Sequence, residues 1–243
     1  IEHLGILNYL DVKKGIIVLT KCDLVDEEFI ELVKDDIREK TKRLFIEGAP
    51  IVEVDSVSRR GLDELVQKID EISEDIEEKK TDAPSRMSID RVFSLKGFGT
   101  IVTGTLIEGK ISVDDEMTIY PSEKKVKVRN LQVHGCDVKT AYAGQRTAIN
   151  LSNIKVSEIQ RGDVIAQTGS VEESMMIDVN ISLVEHCKKS LKHWDRIRIF
   201  HGTKQILCRI VPLNEDEIQY GESGYAQLRL EEKIVAKKGD RFI

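Results

Sequence analysis

The spacing of apolar and polar positions changes near residue 82, and the first part of the chain follows an α/β pattern. The continuous apolar run at 15–19 predicts a strand buried on both faces, and the run at 51–54 predicts a second short strand. Acidic residues at 26–28 mark the start of a helix after the first strand. The order strand, helix, strand, helix predicts parallel pairing in an α/β layer.

Apolar residues at helical spacing define one face of each predicted helix. The first face contains Leu32, Val33, Ile37 and Leu44, and the second contains Leu62, Leu65, Ile69, Ile72 and Ile76. A parallel sheet covered on both faces needs more than two strands. We therefore expect that the front of this α/β domain lies outside the sequence.

From residue 83 onward, apolar residues recur at every second position, the period of a β-strand. Segments such as 126–128 and 178–183 alternate apolar and polar residues, and single glycines separate many short runs. Residues 81–85, which include Pro84, form the predicted linker before this region. Many short strands with turn residues between them predict two antiparallel β-barrels, joined between residues 169 and 174.

Composition places the chain among ordinary globular proteins. It has 243 residues, of which 40% are hydrophobic, and no apolar run approaches the roughly 20 residues of a membrane-spanning helix. The four cysteines form no Cys-x-x-Cys pair, and the five histidines show no ligand spacing, so we expect reduced cytoplasmic thiols and no metal site. The chain begins with Ile1 in a helix-like stretch, which indicates a piece of a longer parent.

Charge is distributed unevenly between the two regions. Residues 1–82 hold 13 basic and 22 acidic side chains, whereas residues 83–243 hold 24 basic and 21 acidic ones. The small basic excess in the second region indicates that the barrels, rather than the α/β part, meet a polyanion.

Thr20-Lys21-Cys22-Asp23 directly follows the first predicted strand. Guanine specificity needs an acceptor for the N1 and N2 hydrogens of the base, and a carboxylate at the carboxyl end of a strand supplies it. The lysine stem can lie across the base. The segment is a variant of the Asn-Lys-x-Asp element of GTPases, with Thr20 in place of Asn.

A second loop follows the strand at 51–54 and opens the next helix. In GTPases this loop usually contains Val-Ser-Ala, and one of its backbone N–H groups reaches guanine O6. Here Asp55-Ser56 replaces Ser-Ala, and because a backbone group makes the contact, Ser56 stays a candidate guanine-binding residue. The alternative is a plain strand-to-helix loop.

The segment 104–110 fits Gly-x4-Gly-Lys, the first part of a phosphate-binding P-loop. Ile111 follows it instead of Ser or Thr, and the next residues show no helical period, so the site lacks both the Mg²⁺ hydroxyl and the helix N-terminus. We interpret residues 108–110 as a hairpin turn. Because no other Gly-x4-Gly-Lys motif exists in the chain, we expect the 243 residues alone not to hydrolyse GTP.

Several segments of the second region resemble translational GTPases. Residues 89–105 resemble the opening of domain II, and residues 128–134, 141–151 and 161–164 narrow the resemblance to the selenocysteine-specific elongation factors, the SelB family. Residues 201–203, 226–230 and 239–242 resemble domain III of that family, and residues 2–7 match the helix after its switch II region. One departure is Asp114, where the family usually has Gly.

The resemblance implies a three-part organisation and a function. Residues 1–82 would be the C-terminal part of a P-loop GTPase domain, followed by barrel domain II at 83–172 and barrel domain III at 173–243, which could lack its last strand. The implied function is GTP-dependent delivery of selenocysteinyl-tRNA to the ribosome in the cytoplasm. GTP and GDP would be the cofactors, and Mg²⁺ would bind in the parent protein only. The family also reads an mRNA hairpin through a further domain.

The resemblance also implies a pocket for the selenocysteine side chain in domain II, built from Asp90, Arg91 and Arg146. Selenocysteine has an acidic selenol, largely ionised at neutral pH, whereas the serine on the precursor tRNA is neutral. Two guanidinium groups would bind the anion and an aspartate would orient them. With the neutral serine, the two positive charges would face each other without an anion between them, which is costly, so the pocket would disfavour serine. Other basic residues are candidates for tRNA phosphates: Lys124, Lys125, Lys127, Arg129, Lys188, Lys189 and Lys192.

Two alternatives stay open at this stage. One is a general aminoacyl-tRNA carrier or an initiation-factor-type GTPase built on the same three domains. The other, from a different class, is a β-barrel interaction module that binds no nucleotide. Neither a nucleophile–base pair nor a metal cluster points to an enzyme acting on a small metabolite.

Overall fold

The computed structural model describes residues 2–10, 12–77, 79, 81–184 and 189–243. The chain divides into two compact units, residues 1–78 and residues 79–243, and each is described by itself. Within the described residues, the first contains three helices and a parallel strand pair, and the second is built from antiparallel strands. The predicted fold class, an α/β unit followed by β-barrels, is thereby confirmed.

Helices and strands of the first unit alternate along the chain. They are α1 (Glu2–Tyr9), β1 (Ile17–Thr20), α2 (Glu27–Lys40), β2 (Ile51–Val54) and α3 (Leu62–Ser73), with a short 3₁₀ turn at Cys22–Leu24. Strands β1 and β2 pair in parallel, with Ile17 opposite Ile51 and Thr20 opposite Val54. Both strands therefore end at the same edge of the sheet.

Helix α2 begins where the acidic cluster predicts it. The Asp26 carboxylate accepts a hydrogen bond from the Phe29 backbone amide at 2.9 Å and caps the helix. The buried face differs from the predicted one, because Ile30 is buried whereas Leu32 is 63% exposed. Leu44 lies beyond the end of the helix at Lys40, since Thr41 closes the last turn through its hydroxyl bond to the Ile37 carbonyl.

The prediction that the first strand is buried on both faces is wrong for the described residues. Its burial alternates, and Val18 is 37% exposed, because β1 has only β2 as a hydrogen-bonded neighbour there. The last predicted helix is also shorter than its apolar pattern suggests. It ends at Ser73, and Ile76 is 61% exposed.

The second unit contains fifteen strands within its described residues. They are β3 (Arg86–Leu95), β4 (Gly99–Glu108), β5 (Lys110–Ser112), β6 (Glu116–Tyr120), β7 (Lys124–Val133), β8 (Cys136–Val138), β9 (Thr140–Tyr142), β10 (Arg146–Ser152), β11 (Val164–Gln167), β12 (Glu173–Ser182), β13 (Leu191–Lys192), β14 (Arg196–His201), β15 (Lys204–Pro212), β16 (Glu217–Ile218) and β17 (Ser223–Val235).

The first barrel closes because β10 pairs with both β4 and β7. The strand order is β10-β4-β3-β11-β6-β7, with β8 added beside β7 and a separate β5–β9 pair. The alternation at 126–128 is confirmed, since Val126 and Val128 are buried and Lys127 is exposed. Their inward side chains join a core that includes Met87, Ile149 and Ile165.

The second barrel combines a four-stranded sheet, β12-β17-β15-β14, with the pair β13–β16. One apolar cluster, which includes Ile199, Ile206, Ile210 and Leu228, fills the space between them. The boundary predicted at 172/173 falls just before β12 begins at Glu173. That boundary, like the one at 82/83, stays a prediction.

Residues 108–110 do not form the predicted hairpin turn. Strand β5 pairs with β9 and not with β4, so Gly109 connects strands of two different sheets. Gly109 has φ of 76°, and a Cβ there would lie 2.4 Å from the Ala83 carbonyl oxygen. The chain bends here to pass the linker, which only glycine permits.

Asp114, the departure from the family pattern, adopts φ of 74° in the turn before β6. Glycine reaches this left-handed region without strain, and aspartate is among the residues that tolerate it. Its carboxylate also pairs with Lys127 at 2.8 Å. The substitution is therefore compatible with the turn.

A cluster of charged side chains joins the two barrels, and we call it the inter-barrel ion cluster: Arg86, Glu108, His201, Lys237 and Asp240. Arg86 donates two hydrogen bonds to the Asp240 carboxylate, at 2.6 and 2.7 Å, and a third to Glu108 at 2.8 Å. Lys237 also contacts Glu108 at 2.8 Å, and His201 Nε2 lies 3.1 Å from Asp240. Arg86 is only 5% exposed, so these contacts are largely shielded from water.

Candidate functional site

The residues predicted to bind guanine lie at the edge of the sheet where β1 and β2 end. Thr20 is the last residue of β1, opposite Val54 of β2. Lys21 follows with φ of 62°, and Asp23 lies in the exposed 3₁₀ turn. The buried Cys22 thiol donates to the Leu19 carbonyl at 3.2 Å and so fixes the turn beneath them.

The second predicted guanine-binding loop is organised by Asp55. Its buried carboxylate accepts hydrogen bonds from the backbone amides of Val57, at 2.9 Å, and Ser58, at 2.7 Å. Hydrogen bonds from the Ser58 side chain and from these amides lower the pKa of Asp55. Ser56 itself is exposed. The loop thus keeps its shape through the aspartate that replaces the usual serine.

A β-bulge in the first barrel determines where Asp90 points. Along β3 and β4, Ile89 lies opposite Gly104 and Arg91 lies opposite Thr103, so Asp90 is the extra residue on β3. Glycine at 104 permits the bulge, because a Cβ there would lie 2.2 Å from the Ser88 carbonyl oxygen. Arg146 begins β10, on the other side of β4. Asp90 reaches across β4 toward it.

Asp90 and Arg146 form a bidentate ion pair. Arg146 Nη1 contacts Asp90 Oδ2, Nη2 lies 3.2 Å from Oδ1, and the Thr103 hydroxyl donates to Oδ1 at 2.6 Å. Burial alone would raise the pKa of Asp90, but the hydrogen bonds from Arg146 and Thr103 and the charges of Arg146 and Arg91 lower it. The carboxylate is therefore ionised at neutral pH and holds the Arg146 guanidinium in one orientation.

Arg91 is placed differently from Arg146. It is exposed on β3 and acts on Asp90 through its charge, and it forms no ion pair within the parts of the chain that the structure describes. The structure therefore brings the three predicted pocket residues together, but Asp90 orients only one of the two arginines. The other guanidinium is open to an added anion.

A pocket of about 220 Å³ lies beside this ion pair and includes residues that the sequence analysis did not assign to a site. Thr103 and Arg146 line it together with Gln132 and His134. His134 adopts φ of 53° in the turn between β7 and β8. It belongs to a segment that resembles the family, 128–134, and that membership was the only sequence signal for it. Asp90 and Arg91 are not among the residues that line it, but Asp90 contacts Thr103 and Arg146, which are.

Several lysines predicted to meet tRNA phosphates already have acidic partners. Lys124 pairs with Glu158, Lys127 with Asp114 at 2.8 Å, and Lys192 with Glu217 at 3.5 Å. Lys125, Arg129 and Lys189 are exposed, and Lys188 lies outside the described residues.

Arginines instead occupy the outer face of the second barrel, and we call this the arginine face: Arg196, Arg198, Arg209 and Arg229. Arg196, Arg209 and Arg229 lie opposite one another on β14, β15 and β17 and form one row across the sheet. Glu231 accepts two hydrogen bonds from Arg196, at 2.7 and 2.8 Å, and leaves a basic excess. Three separate strands contribute to the row, so no run of basic residues announces it in the sequence.

Within the described parts of the chain, no group of three or more His, Cys, Asp or Glu side chains could hold a metal ion. None of the helices described is long and apolar enough to cross a lipid bilayer. Cys22, Cys136 and Cys208 are free thiols, and Cys187 lies outside the described residues.

Two family models match the second unit. Residues 99–166 match elongation factor Tu domain 2, and residues 178–243 match the β-barrel domain of selenocysteine-specific elongation factor. The chain is similar over its whole length to proteins named selenocysteine-specific elongation factor. It is 38% identical to the one from Desulfomicrobium baculatum and 28% identical to the one from Methanocaldococcus jannaschii. It spans 38% and 55% of their respective lengths.

Solved structures give the same result. A bacterial selenocysteine-specific elongation factor matches with a TM-score of 0.84 and 27% identity, covering 99% of this chain and 39% of that chain. Translation elongation factor SelB from Methanococcus maripaludis, in its apo form, matches with a TM-score of 0.88 and 25% identity, covering 99% and 56%. The same protein in complex with the GTP analogue GPPNHP matches with a TM-score of 0.87, 25% identity and the same coverage.

Proposed function

Because this chain belongs to the family of selenocysteine-specific elongation factors, we propose that it serves in a GTP-dependent carrier that delivers selenocysteinyl-tRNA to the ribosome in the cytoplasm. The chain spans less than two thirds of its relatives, so the activity is assigned to the full-length protein that contains it. Guanine nucleotide would contact Thr20, Lys21, Asp23 and Ser56, whose common position at one sheet edge supports this role. Mg²⁺ would need ligands that these residues do not supply.

The observation that supports the substrate is the oriented Arg146 beside the open Arg91 in the first barrel. An ionised selenolate next to Arg146 can accept a charge-assisted hydrogen bond from the guanidinium donors that Asp90 leaves available. The serine hydroxyl is neutral and gains much less from the same donors. Discrimination would thus come from charge and not from size, since serine is no larger than selenocysteine.

The test is competition binding to the full-length protein with GTP, using selenocysteinyl-tRNA and the seryl form of the same tRNA. We expect a preference of at least about tenfold for the selenocysteinyl form, because a hydrogen bond to a charged group contributes about 1.5–3 kcal/mol. Equal affinities would remove the selenolate pocket and favour the general aminoacyl-tRNA carrier.

We further propose that the arginine face binds tRNA phosphates. Its arginines lie on three neighbouring strands, and its basic excess complements a polyanion. The hydrogen bonds from Arg196 and the charges of Arg196 and Arg209 lower the pKa of Glu231, so this carboxylate stays ionised and anchors one end of the row. None of the described residues is proposed to contact the mRNA hairpin.

Replacing Arg209 or Arg229 with Ala is expected to weaken binding of selenocysteinyl-tRNA and seryl-tRNA equally. Removing one arginine–phosphate interaction should reduce the slope of log affinity against log salt concentration by about 1. Titrations at several salt concentrations measure this slope. Arg38→Ala, an exposed arginine of α2, is the control and should leave the slope unchanged. An unchanged slope in both Arg209→Ala and Arg229→Ala would contradict the assignment.

A further inference from the structure

The second barrel donates a hydrogen bond to the backbone immediately before Asp90. The hydroxyl of Thr203, in the turn between β14 and β15, donates to the Ile89 carbonyl at 2.7 Å. The same carbonyl accepts from the Gly162 amide at 2.9 Å, and the Ile89 amide donates to the Asp163 carbonyl at 2.9 Å. Ile89 is fully buried, so water cannot replace these partners.

The bulge makes this peptide a sensitive position. An extra residue in a strand interrupts the regular ladder, and the direction of its side chain then depends on how the neighbouring peptides are held. Asp90 is the extra residue, and its carboxylate orients Arg146. The hydrogen bonds to Ile89 therefore hold the peptide next to Asp90. Through Asp90 they influence the orientation of the Arg146 guanidinium.

Close packing of the β14–β15 turn against β3 supports the same conclusion. A Cβ at Gly202 would lie 2.8 Å from the Ser88 hydroxyl oxygen, and one at Gly162 would lie 2.7 Å from Lys204 Cβ. Both glycines have positive φ, 56° and 95°. The turn thus approaches β3 as closely as the backbone allows, and this approach brings the Thr203 hydroxyl within hydrogen-bond distance of the Ile89 carbonyl.

We propose that Thr203 is a positioning residue for the selenolate pocket: through the Ile89 carbonyl it fixes the bulge that aims Asp90 at Arg146. The proposal rests on the proposed function, and it assigns the second barrel a role in substrate discrimination as well as in tRNA binding. Thr203 itself does not contact the substrate. Its loss should act on the difference between the two aminoacyl groups and not on tRNA affinity in general.

The experiment compares three variants of the full-length protein in the same competition assay. Thr203→Val keeps the shape and removes the hydroxyl, and Thr203→Ser keeps the hydroxyl. Thr100→Val is the matched control, because the Thr100 hydroxyl donates a buried bond of the same kind to the Ile154 carbonyl, also at 2.7 Å. We expect Thr203→Val to reduce the preference for selenocysteinyl-tRNA about 5- to 10-fold, with seryl-tRNA affinity unchanged. Thr203→Ser should restore the preference, and Thr100→Val should retain it.

A second measurement separates this inference from the proposed function. Hydrogen exchange of residues 89–91 in the 243-residue chain is expected to become about tenfold faster in Thr203→Val than in Thr100→Val, whatever the tRNA result. Equal exchange in the two variants would overturn the positioning role. A wild-type protein without any preference for the selenocysteinyl form would overturn the proposed function and, with it, the role in discrimination. A wild-type preference that Thr203→Val leaves intact would overturn the inference alone.

Discussion

Removing the Asp240 carboxylate is expected to lower the free energy of unfolding of the barrel unit by about 3–5 kcal/mol, the usual cost of breaking a buried ion pair on one side. The Asp240 carboxylate accepts hydrogen bonds from both terminal nitrogens of Arg86. The side chains of Arg86 and Asp240 are only 6% and 19% exposed. Without Asp240, Glu108 is the one acidic partner left to Arg86 among the described residues, and Glu108 also binds Lys237. The remaining positive charge would be buried with too few acceptors.

Urea unfolding of the 243-residue chain with Asp240→Ala measures this loss. The matched control is Glu231→Gln, which breaks the exposed pair with Arg196 in the same unit, where the side chains of Arg196 and Glu231 are 50% and 41% exposed. An exposed pair contributes about 1 kcal/mol or less, because water screens the charges. If Asp240→Ala also lost only about 1 kcal/mol or less, the inter-barrel ion cluster would contribute no more than an exposed pair does.

The same cluster predicts how stability depends on pH. Burial alone would raise the pKa of Asp240, but hydrogen bonds from Arg86, His201 and the Lys237 backbone amide hold it well below its usual range. In the unfolded chain the Asp240 carboxylate takes up a proton at about pH 4, while in the folded chain it is still ionised at that pH. The contribution of Asp240 is therefore fully present above about pH 4 and is lost as the pH falls below it. Asp240→Asn should make unfolding less sensitive to acid in this range.

Sequence reasoning succeeded where local structure depends on neighbours along the chain. Thr20, Lys21 and Asp23 are three residues of one short loop, and the strand before them fixed their position at the sheet edge. The acidic start of α2 was equally local, since Asp26 caps its own helix. Periodicity also predicted the barrels, because alternation along one strand reports which face is inward.

Sequence reasoning failed where the structure depends on distant parts of the chain. Arg86 and Asp240 are 154 positions apart, and the row of arginines on the second barrel exists only because three strands share one register. The turn at Gly109 was interpreted as a hairpin because a local pattern cannot show that the next strand pairs with β9. Likewise, an apolar pattern predicted Leu32 as inward although the packing of α2 buries Ile30 instead.

Arg146→Ala is expected to lower the affinity of the full-length protein for selenocysteinyl-tRNA about 10- to 100-fold and to leave the affinity for seryl-tRNA nearly unchanged. The magnitude follows from the loss of one charge-assisted hydrogen bond to an ionised group, about 1.5–3 kcal/mol. Arg146→Lys should recover only part of the loss, because an ammonium group cannot form the bidentate contact that Asp90 makes with the guanidinium. Competition binding in the presence of GTP measures both tRNA affinities for the wild type, Arg146→Ala and Arg146→Lys.

Variants of the neighbouring groups decide what Asp90 contributes. If the carboxylate mainly orients Arg146, Asp90→Asn should reduce the preference for the selenocysteinyl form, because the guanidinium loses its fixed direction. If it mainly competes with the selenolate for that guanidinium, the same change should increase the preference. We expect the first result, since Thr103 and Arg146 together hold the carboxylate in place. Arg91→Ala should also reduce the preference, by removal of the second positive charge.

Arg129→Ala provides the control that separates charge in the pocket from charge elsewhere on the barrel. Arg129 is exposed on β7, outside the pocket, so its loss should change both affinities by the same factor. If Arg146→Ala behaved like Arg129→Ala, Arg146 would be a phosphate-binding residue, and the discrimination would have to originate elsewhere. A loss restricted to the selenocysteinyl form would tie the oriented guanidinium to the selenolate, because the two tRNAs differ only in the group that reaches the pocket.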